Sequence, residues 1–225
     1  MPLIKEDGVA IGALVVAAKK TGVFSRARRD VLELIAVQVA IKIDLGQAHD
    51  KINKMATTDG LTELANHRTF QHGFEIMLHR AQRQGSALTL VLCDLDFFKK
   101  INDTHGHPFG DHVLKAVSKV LSAAARKLDL VARYGGEEFA IVLEGAAEEG
   151  GRQMAERIRG EVEALALSHQ HKDLKVTISM GLAVYRQDGD NKDELISRAD
   201  QALYRAKHEG RNRVVAWSDL EKVKE

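Results

Sequence analysis

The stretch RYGGEEFAIVL at residues 133–143 places an unusual turn between two apolar runs. LVA comes just before it at 130–132, and FAIVL ends it at 139–143, so the pattern predicts a hairpin of two paired strands. A hairpin turn needs only residues such as Asn-Gly or Asp-Gly. Here two glycines, which would let a ligand approach the backbone closely, are followed by two adjacent carboxylates, and a plain turn needs neither pair.

Outward from this hairpin, apolar runs of strand length alternate with segments of helical periodicity. The alternation predicts an α/β layered domain with about five strands and five helices around one central hairpin. Its predicted strands are 87–94, 176–184 and 213–217, besides the two in the hairpin over 129–143. Its predicted helices begin after Asn66, cover 97–103, 111–127 and about 147–166, and include Leu195 to Ala206. Ahead of this domain, a strand is predicted over 9–18 and a long helix from near Ser25.

The composition is that of an ordinary globular protein. The chain has 225 residues, 44% of them hydrophobic, and a formal net charge of +1, so we expect no nucleic-acid partner. Its single cysteine, Cys93, allows no intrachain disulfide and fits a cytoplasmic location. The apolar run 9–18 is too short to span a bilayer, and Glu6 and Asp7 stand where a signal peptide has positive charge. We therefore expect a buried strand there and no membrane insertion.

A heptad pattern runs along the helix that begins near Ser25. For its first half, a coiled coil and an amphipathic helix packed on its own domain are equally compatible with the pattern. After Leu45 the polar stretch AHDKINK favours the coiled coil. The predicted seam consists of Val31, Leu34, Gln38, Ile41, Leu45, Ala48, Ile52 and Met55.

Asp94 stands at the end of the apolar strand 87–94, where ligands bind in open α/β sheets. If the hairpin pairs beside this strand, Asp94 meets Glu137 and Glu138 at one edge. Clustered carboxylates without His or Cys favour Mg²⁺ or Mn²⁺. A solvated acidic turn with a capping aspartate is the alternative.

Two basic clusters strengthen the metal and phosphate interpretation. Lys99 and Lys100 follow Asp94 at the start of a helix, and Lys207, Arg211 and Arg213 lie at a helix end and the turn after it. Helix N-termini and Lys or Arg side chains bind phosphate. Either cluster alone would be typical of a solvated surface.

Five blocks of the sequence together resemble the GGDEF family of diguanylate cyclases, in the variant with Glu at the third position. The resemblance covers roughly residues 57–217. It implies an α/β (α+β) fold of the palm-like nucleotidyl cyclase type: a central, mostly antiparallel five-stranded sheet with helices on both faces and an N-terminal helical stalk. The blocks are DGLTELANHR, DLDFFKKINDTHGHPFGD, RYGGEEF, VTISMG and ADQALYRAKHEGRN.

The resemblance implies a homodimer that joins two GTP molecules into cyclic di-GMP and releases two pyrophosphates. Two Mg²⁺ or Mn²⁺ ions per active site would be held by Asp94, Glu137 and the backbone carbonyl of Leu95. Glu138 would lie beside the metals as a candidate further ligand. Glu137 would also accept a proton, and Lys99 would stabilise charge on the phosphates.

The same resemblance implies the substrate contacts. Asn102 and Asp111 would hydrogen-bond guanine, and His107 would contact the nucleotide. Lys207 and Arg211 would bind the distal phosphates. Gly135 and Gly136, which have no side chains, would let the triphosphate lie against the turn.

Arg126 and Asp129 match the RxxD inhibitory site of the family, at its fixed offset five residues before the signature. Arg157 matches the secondary arginine of that site. The resemblance therefore implies that cyclic di-GMP binds here and inhibits the enzyme.

The expected domains are 1–43, the C-terminal remnant of a GAF-like sensory domain; 44–57, a coiled-coil linker; 58–217, the cyclase domain; and 218–225, a tail. Two alternatives differ in function: a non-catalytic cyclic di-GMP receptor using Arg126, Asp129 and Arg157, and a cyclase that makes a mixed dinucleotide. A zinc site at His105 and His107 is disfavoured because no third ligand is evident.

Overall fold

The computed structural model describes residues 1–5, 8–19, 23–169 and 172–221, without the side chains of 49–55, 169, 172 and 173. The strands are β1 (Pro2–Ile4), β2 (Ala10–Ala13), β3 (Leu88–Leu95), β4 (Leu130–Arg133), β5 (Glu138–Glu144), β6 (Leu167–His169), β7 (Lys172–Leu174), β8 (Ile178–Val184) and β9 (Val214–Ala216). The helices are α1 (Arg26–Thr57), α2 (His67–Gln84), α3 (Phe98–His105), α4 (His107–Ala124), α5 (Glu148–Glu163), α6 (Lys192–His208) and α7 (Trp217–Glu221). The chain forms two compact units, Met1–Ala56 and Thr57–Glu225.

The larger unit is built on a five-stranded sheet in the order β4-β5-β3-β8-β9. The first three pairings are antiparallel, and β8 pairs with β9 in parallel. This confirms the predicted mostly antiparallel sheet, with the signature hairpin formed by β4 and β5.

The central strand β3 is buried on both faces, which explains its continuous apolar sequence. Val91, Cys93 and Leu95 pack in the layer that contains α3, α4 and α5. Leu90 and Leu92 pack on the other face, with buried residues of α2 and α6. Because side chains alternate along a strand, Asp94 belongs to the face covered by α2 and α6.

Helix α6 lies against strand β8 with almost no space between their backbones. A Cβ atom built on Gly181 would lie 2.2 Å from the carbonyl oxygen of Ala199 and 2.2 Å from the backbone nitrogen of Leu203. No larger residue fits there without moving the helix. Gly181 therefore lets α6 approach the sheet and carry its C-terminal residues to the edge where Asp94 lies.

The α3–α4 corner differs from the prediction. Helix α4 begins at His107, four residues before the predicted start at Asp111. Gly106 has φ +82°, which ends α3 and allows an immediate second helix. Pro108 fits the first turn of α4 because the first turn needs no backbone N–H donor. The short β6–β7 hairpin was not predicted, and its three-residue strands have no clear periodicity.

The smaller unit contains a β-hairpin and most of α1. The hairpin pairs β1 with β2. The expectation of a buried strand over 9–18 is wrong, because β2 spans only four residues and is largely exposed. Helix α1 packs Ala36 and Ala40 against Leu3.

The predicted heptad seam lies on a different face of α1. Val31, Leu34 and Leu45 are 54%, 67% and 69% exposed, respectively. The first half of α1 thus packs within its own unit, and among the described residues nothing buries Val31, Leu34 or Leu45. The side chains of Ile52 and Met55, at the end of the predicted seam, lie outside the described residues. No helix in the described part of the chain is long and apolar enough to cross a membrane.

Candidate active site

The sheet brings the predicted acidic residues to one edge. In the β3–β5 ladder, Asp94 is directly opposite Glu138. The backbone N–H of Leu95 donates to the carbonyl oxygen of Glu137 at 3.3 Å. The strand end and the signature turn, which are more than 40 residues apart in sequence, therefore form one acidic site.

The carboxylates at this edge are held close enough to disfavour one another's ionisation. Burial raises the pKa of Asp94, although Lys207 opposes this shift with its Nζ 2.7 Å from Oδ2. Burial also raises the pKa of Glu137, and the negative charges of Asp94 and Glu138 add to the effect. An additional cation would favour the ionised form of both groups.

The two glycines of the turn have different surroundings. A Cβ atom on Gly135 would lie 2.3 Å from Oε2 of Glu138, so the missing side chain makes room for this carboxylate. A Cβ atom on Gly136 would have no neighbour within 4 Å. Gly136 is thus the open position of the turn.

Arg133 fixes the turn to a distant segment. Its Nη1 donates to both carboxylate oxygens of Asp59, at 3.1 and 3.2 Å. Its Nε and Nη2 donate to the carbonyl oxygen of Gly136, at 3.2 and 2.7 Å. Asp59 also accepts from the backbone and hydroxyl of Thr62. Sequence reasoning missed both charged residues; the one available signal was the turn-forming block DGLTELANHR that contains Asp59.

A second buried carboxylate holds the basic loop after α6. Asp96 is 4% exposed and accepts from the hydroxyls of Thr177 and Ser179, both at 2.7 Å, and from the backbone N–H of Asn212 at 3.0 Å. Arg211 precedes this anchor, and its guanidinium lies 4.3 Å from the ring centre of Phe97. Asp96 therefore fixes the backbone that presents Arg211 near Asp94. Sequence reasoning did not assign Asp96 a role.

The remaining predicted substrate residues lie on α3 and α4. Lys99 is exposed in the first turn of α3, and Asn102 is half-buried one turn later. His107 and Asp111 are exposed in the first two turns of α4. The structure thus brings the predicted guanine contacts to the α3–α4 corner.

The predicted inhibitory residues lie at a separate cavity of about 630 Å³. Arg126, Asp129 and Arg157 all line it. Asp129 accepts from the backbone N–H groups of Arg126 at 2.7 Å and Glu144 at 3.2 Å, which fixes its carboxylate. Arg157 donates to the carbonyl oxygen of Ala124 at 2.9 Å.

The donor set at the acidic edge suits a hard divalent cation that is completed by a ligand. Among the described residues, no three Asp, Glu, His or Cys side chains converge closely enough to hold a metal ion. Mg²⁺ is commonly bound by one or two carboxylates together with substrate phosphates. Asp94, Glu137 and the carbonyl of Leu95 fit that arrangement, and the region offers no closed all-protein metal cage.

Comparison with known proteins identifies the larger unit. Residues 56–213 match the family described as "Diguanylate cyclase, GGDEF domain". This chain belongs to that family. The GGDEF domain includes both residues of the Asp59–Arg133 ion pair, the acidic edge and the cavity lined by Arg126, Asp129 and Arg157.

Individual relatives agree with this assignment. Diguanylate cyclase A of Treponema denticola is 36% identical over 218 residues, which are 94% of this chain and 57% of that protein. Response regulator PleD of Caulobacter vibrioides is 41% identical over 164 residues, 72% of this chain and 36% of that protein. This chain thus spans about half or less of the length of these two relatives.

A solved structure shows the same fold. The coiled coil and GGDEF domain of DgcB from Caulobacter crescentus, in complex with c-di-GMP, superposes with a TM-score of 0.74 and 34% identity. The match covers 83% of this chain and 98% of that one.

Replacing Arg133 with alanine should destabilise the GGDEF domain by about 2 kcal/mol at pH 7, since it removes charge-assisted hydrogen bonds. Partial burial works against ionisation of Asp59, but hydrogen bonds from Thr62 and Arg133 outweigh it and lower its pKa. The stabilisation from Asp59 is therefore complete above its unfolded-state pKa of about 4 and is lost as the pH falls through the lower folded-state value.

Urea unfolding at pH 7 and pH 3 measures this effect. The difference between the wild-type protein and Arg133→Ala should be smaller at pH 3. The exposed Arg68→Ala is a control with the same charge change. A loss below about 0.5 kcal/mol at pH 7 would contradict a stabilising role for Arg133.

Proposed function

We propose that this GGDEF domain is a diguanylate cyclase that condenses two GTP molecules into cyclic di-GMP and releases two pyrophosphates. The observation that carries the proposal is the pairing of the Asp94 strand end with the acidic turn, next to Lys207. The names of the relatives support it.

Asp94, Glu137 and the carbonyl of Leu95 would hold two Mg²⁺ or Mn²⁺ ions, with Glu138 as a candidate further ligand. When bound, the ions supply Lewis-acid stabilisation of charge on the reacting phosphates. The mutual repulsion of the carboxylates and the raised pKa of Glu137 support cation binding at this edge.

Side chains of the protein would orient the nucleotides and accept the proton of the attacking 3′-hydroxyl. The 3′-hydroxyl oxygen of one GTP forms a bond to the α-phosphorus of the other, while the bond to pyrophosphate breaks. Glu137 would accept the hydroxyl proton as a general base. Lys99, Lys207 and Arg211 would offset charge on the phosphates, as positioning and electrostatics dominate phosphoryl transfer.

The base would bind at the α3–α4 corner. The carboxylate of Asp111 can accept from the N1 and N2 donors of guanine, which favours GTP over ATP. Asn102 would hydrogen-bond the same base, and His107 would contact the nucleotide. Gly136, which faces open space, would leave room for the triphosphate along the turn.

One domain binds one GTP, so closing the ring requires two domains that face each other about a two-fold axis. The exposed seam of α1 supports dimerisation with a second copy of this chain through a parallel coiled coil. The opposite face of α1 is already used by Ala36 and Ala40. The unit Met1–Ala56 would be the end of a GAF-like sensory domain.

Cyclic di-GMP would also bind in the cavity lined by Arg126, Asp129 and Arg157 and inhibit the enzyme. Arginines suit bidentate phosphate contacts and stacking on guanine. The cavity lining includes none of Asp94, Glu137 or Lys207, so the product and the substrate would occupy different sites.

The reaction is tested by incubating the protein with GTP, ATP and Mg²⁺ and separating the products by chromatography. We expect cyclic di-GMP, its loss on metal chelation, and a decrease of about 100-fold or more in Asp94→Asn. The exposed Asp193→Asn on α6 is the matched control. A mixed dinucleotide would correct the substrate, whereas absence of any product together with cyclic di-GMP binding would favour a receptor.

Arg126→Ala should relieve product inhibition, because a phosphate contact is lost while the active edge is unchanged. The measurement is the initial rate at increasing cyclic di-GMP, and the expected result is at least a tenfold rise in the inhibitory concentration. The neighbouring Lys127→Ala, which removes the same charge outside the cavity lining, should behave as the wild type. Unchanged inhibition in Arg126→Ala would refute the assignment.

Leu34→Glu should weaken dimerisation and lower the specific activity at low protein concentration, because a charge at the seam cannot be buried against a second helix. Val37→Glu is the control: Val37 is also exposed, at 52%, but lies outside the heptad seam. Sedimentation analysis over a range of concentrations measures the dimer. Equal effects of the two substitutions would contradict dimerisation through this seam.

A further inference from the structure

We propose that Gly110 is a positioning residue for guanine recognition: its missing side chain sets the place of the Asn102 carboxamide. A Cβ atom on Gly110 would lie 1.9 Å from Oδ1 and 3.0 Å from Cγ of Asn102, and 3.2 Å from Cζ of Phe98. Because real Cβ contacts are not this short, the amide of Asn102 occupies the space of the absent methyl group. The proposal rests on the proposed function, in which Asn102 binds the base.

Hydrogen bonds at the α3–α4 corner fix the backbone on both sides of the contact between Gly110 and Asn102. The N–H of Gly106 donates to the carbonyl of Asn102 at 2.8 Å, and the carbonyl of Gly106 accepts from Phe109 at 3.1 Å and Gly110 at 3.2 Å. The side chains of Phe98 and Phe109 are buried in the core. A new methyl group would therefore be accommodated by rotation of the Asn102 side-chain end, which costs less than separation of α3 from α4.

Two other glycines show why this position is distinctive. At Gly181 a Cβ atom would collide with the backbone of α6, so substitution there would disturb the fold. At Gly160, inside α5, a Cβ atom would have no neighbour within 4 Å. Gly110 differs from both because the atom in the way belongs to a side chain with a proposed role in binding.

The helix backbone does not require glycine at this position. Gly110 is absent from the residues with positive φ, so alanine can adopt its conformation. Alanine in a helix interior is favoured over glycine by about 1 kcal/mol. A side chain at Gly110 would therefore collide first with the carboxamide of Asn102, and the next nearest side chain is that of Phe98.

The chemistry of the corner explains why the position of this amide matters. The Asn102 carboxamide has both a donor and an acceptor, and Asp111, the residue after Gly110, presents an acceptor. Guanine combines donors and an acceptor on one edge, so recognition depends on both side chains reaching it together. Displacing the amide would remove one contact and leave that of Asp111.

The experiment compares Gly110→Ala, Asn102→Ala, the double variant and the control Gly160→Ala. The side-chain amide NMR signals of Asn102 report its position in the nucleotide-free protein. Steady-state kinetics with GTP and Mg²⁺ report recognition, and thermal unfolding reports the fold. Gly110→Ala should shift the Asn102 amide signals and raise KM for GTP about tenfold, the equivalent of one hydrogen bond, with kcat within about twofold.

The double variant separates positioning from general distortion. If Gly110 acts through Asn102, adding Gly110→Ala to Asn102→Ala should change KM by less than about twofold, because the displaced group is already absent. Gly160→Ala should match the wild type in the Asn102 amide signals and in KM, and its stability should be equal or slightly higher, because alanine is favoured over glycine inside a helix.

Three results would overturn the proposal. These are unchanged Asn102 amide signals in Gly110→Ala, an unchanged KM, and an equal rise in KM in both backgrounds. Absence of GTP turnover by the wild-type protein would instead refute the proposed function and with it the guanine role. The NMR comparison would still decide whether Gly110 positions Asn102.

Discussion

The antiparallel register of β3 against β5 is the constraint on which the site depends. It sets Asp94 opposite Glu138 and brings Leu95 to the carbonyl of Glu137. Side chains alternate along strands, so a slip of one residue would exchange the two faces of β5 and send its apolar set to the wrong layer. The buried side chains of both core layers thus hold the acidic residues in place. The free energy gained by packing the sheet offsets the repulsion between the carboxylates.

Neighbouring elements then complete the site around this edge. Gly181 lets α6 approach β8, so that Lys207 reaches Asp94. Asp96 anchors the backbone beside Arg211. Arg133 ties the turn to Asp59, two residues beyond the end of α1. In these cases a small residue, a buried carboxylate or a partly buried ion pair holds the element that carries a predicted functional group.

Prediction from the sequence succeeded where a local pattern of apolar residues was compatible with only one type of secondary structure. The apolar run of β3 and the apolar spacing of α2, α5 and α6 gave elements close to those observed, and the hairpin was found from its flanking strands. It failed where competing effects decided the outcome. The run at 9–18 is apolar, yet β2 is mostly exposed. The start of α4 depended on the positive φ of Gly106, which a sequence does not reveal. The roles predicted for the site residues stay predictions.

The sequence by itself determined the family, the fold class and the identity of the charged groups at the acidic edge, because ordered motifs and side-chain periodicity are local properties of the chain. Only the tertiary structure decided which groups meet. The contact of Lys207 with Asp94, the bonds of Arg133 to Asp59 and Gly136, and the place of Asn102 against Gly110 all join separate elements. Whether such a contact forms depends on differences of a few tenths of an ångström in how the elements pack. The spacing of residues along the chain does not measure these differences.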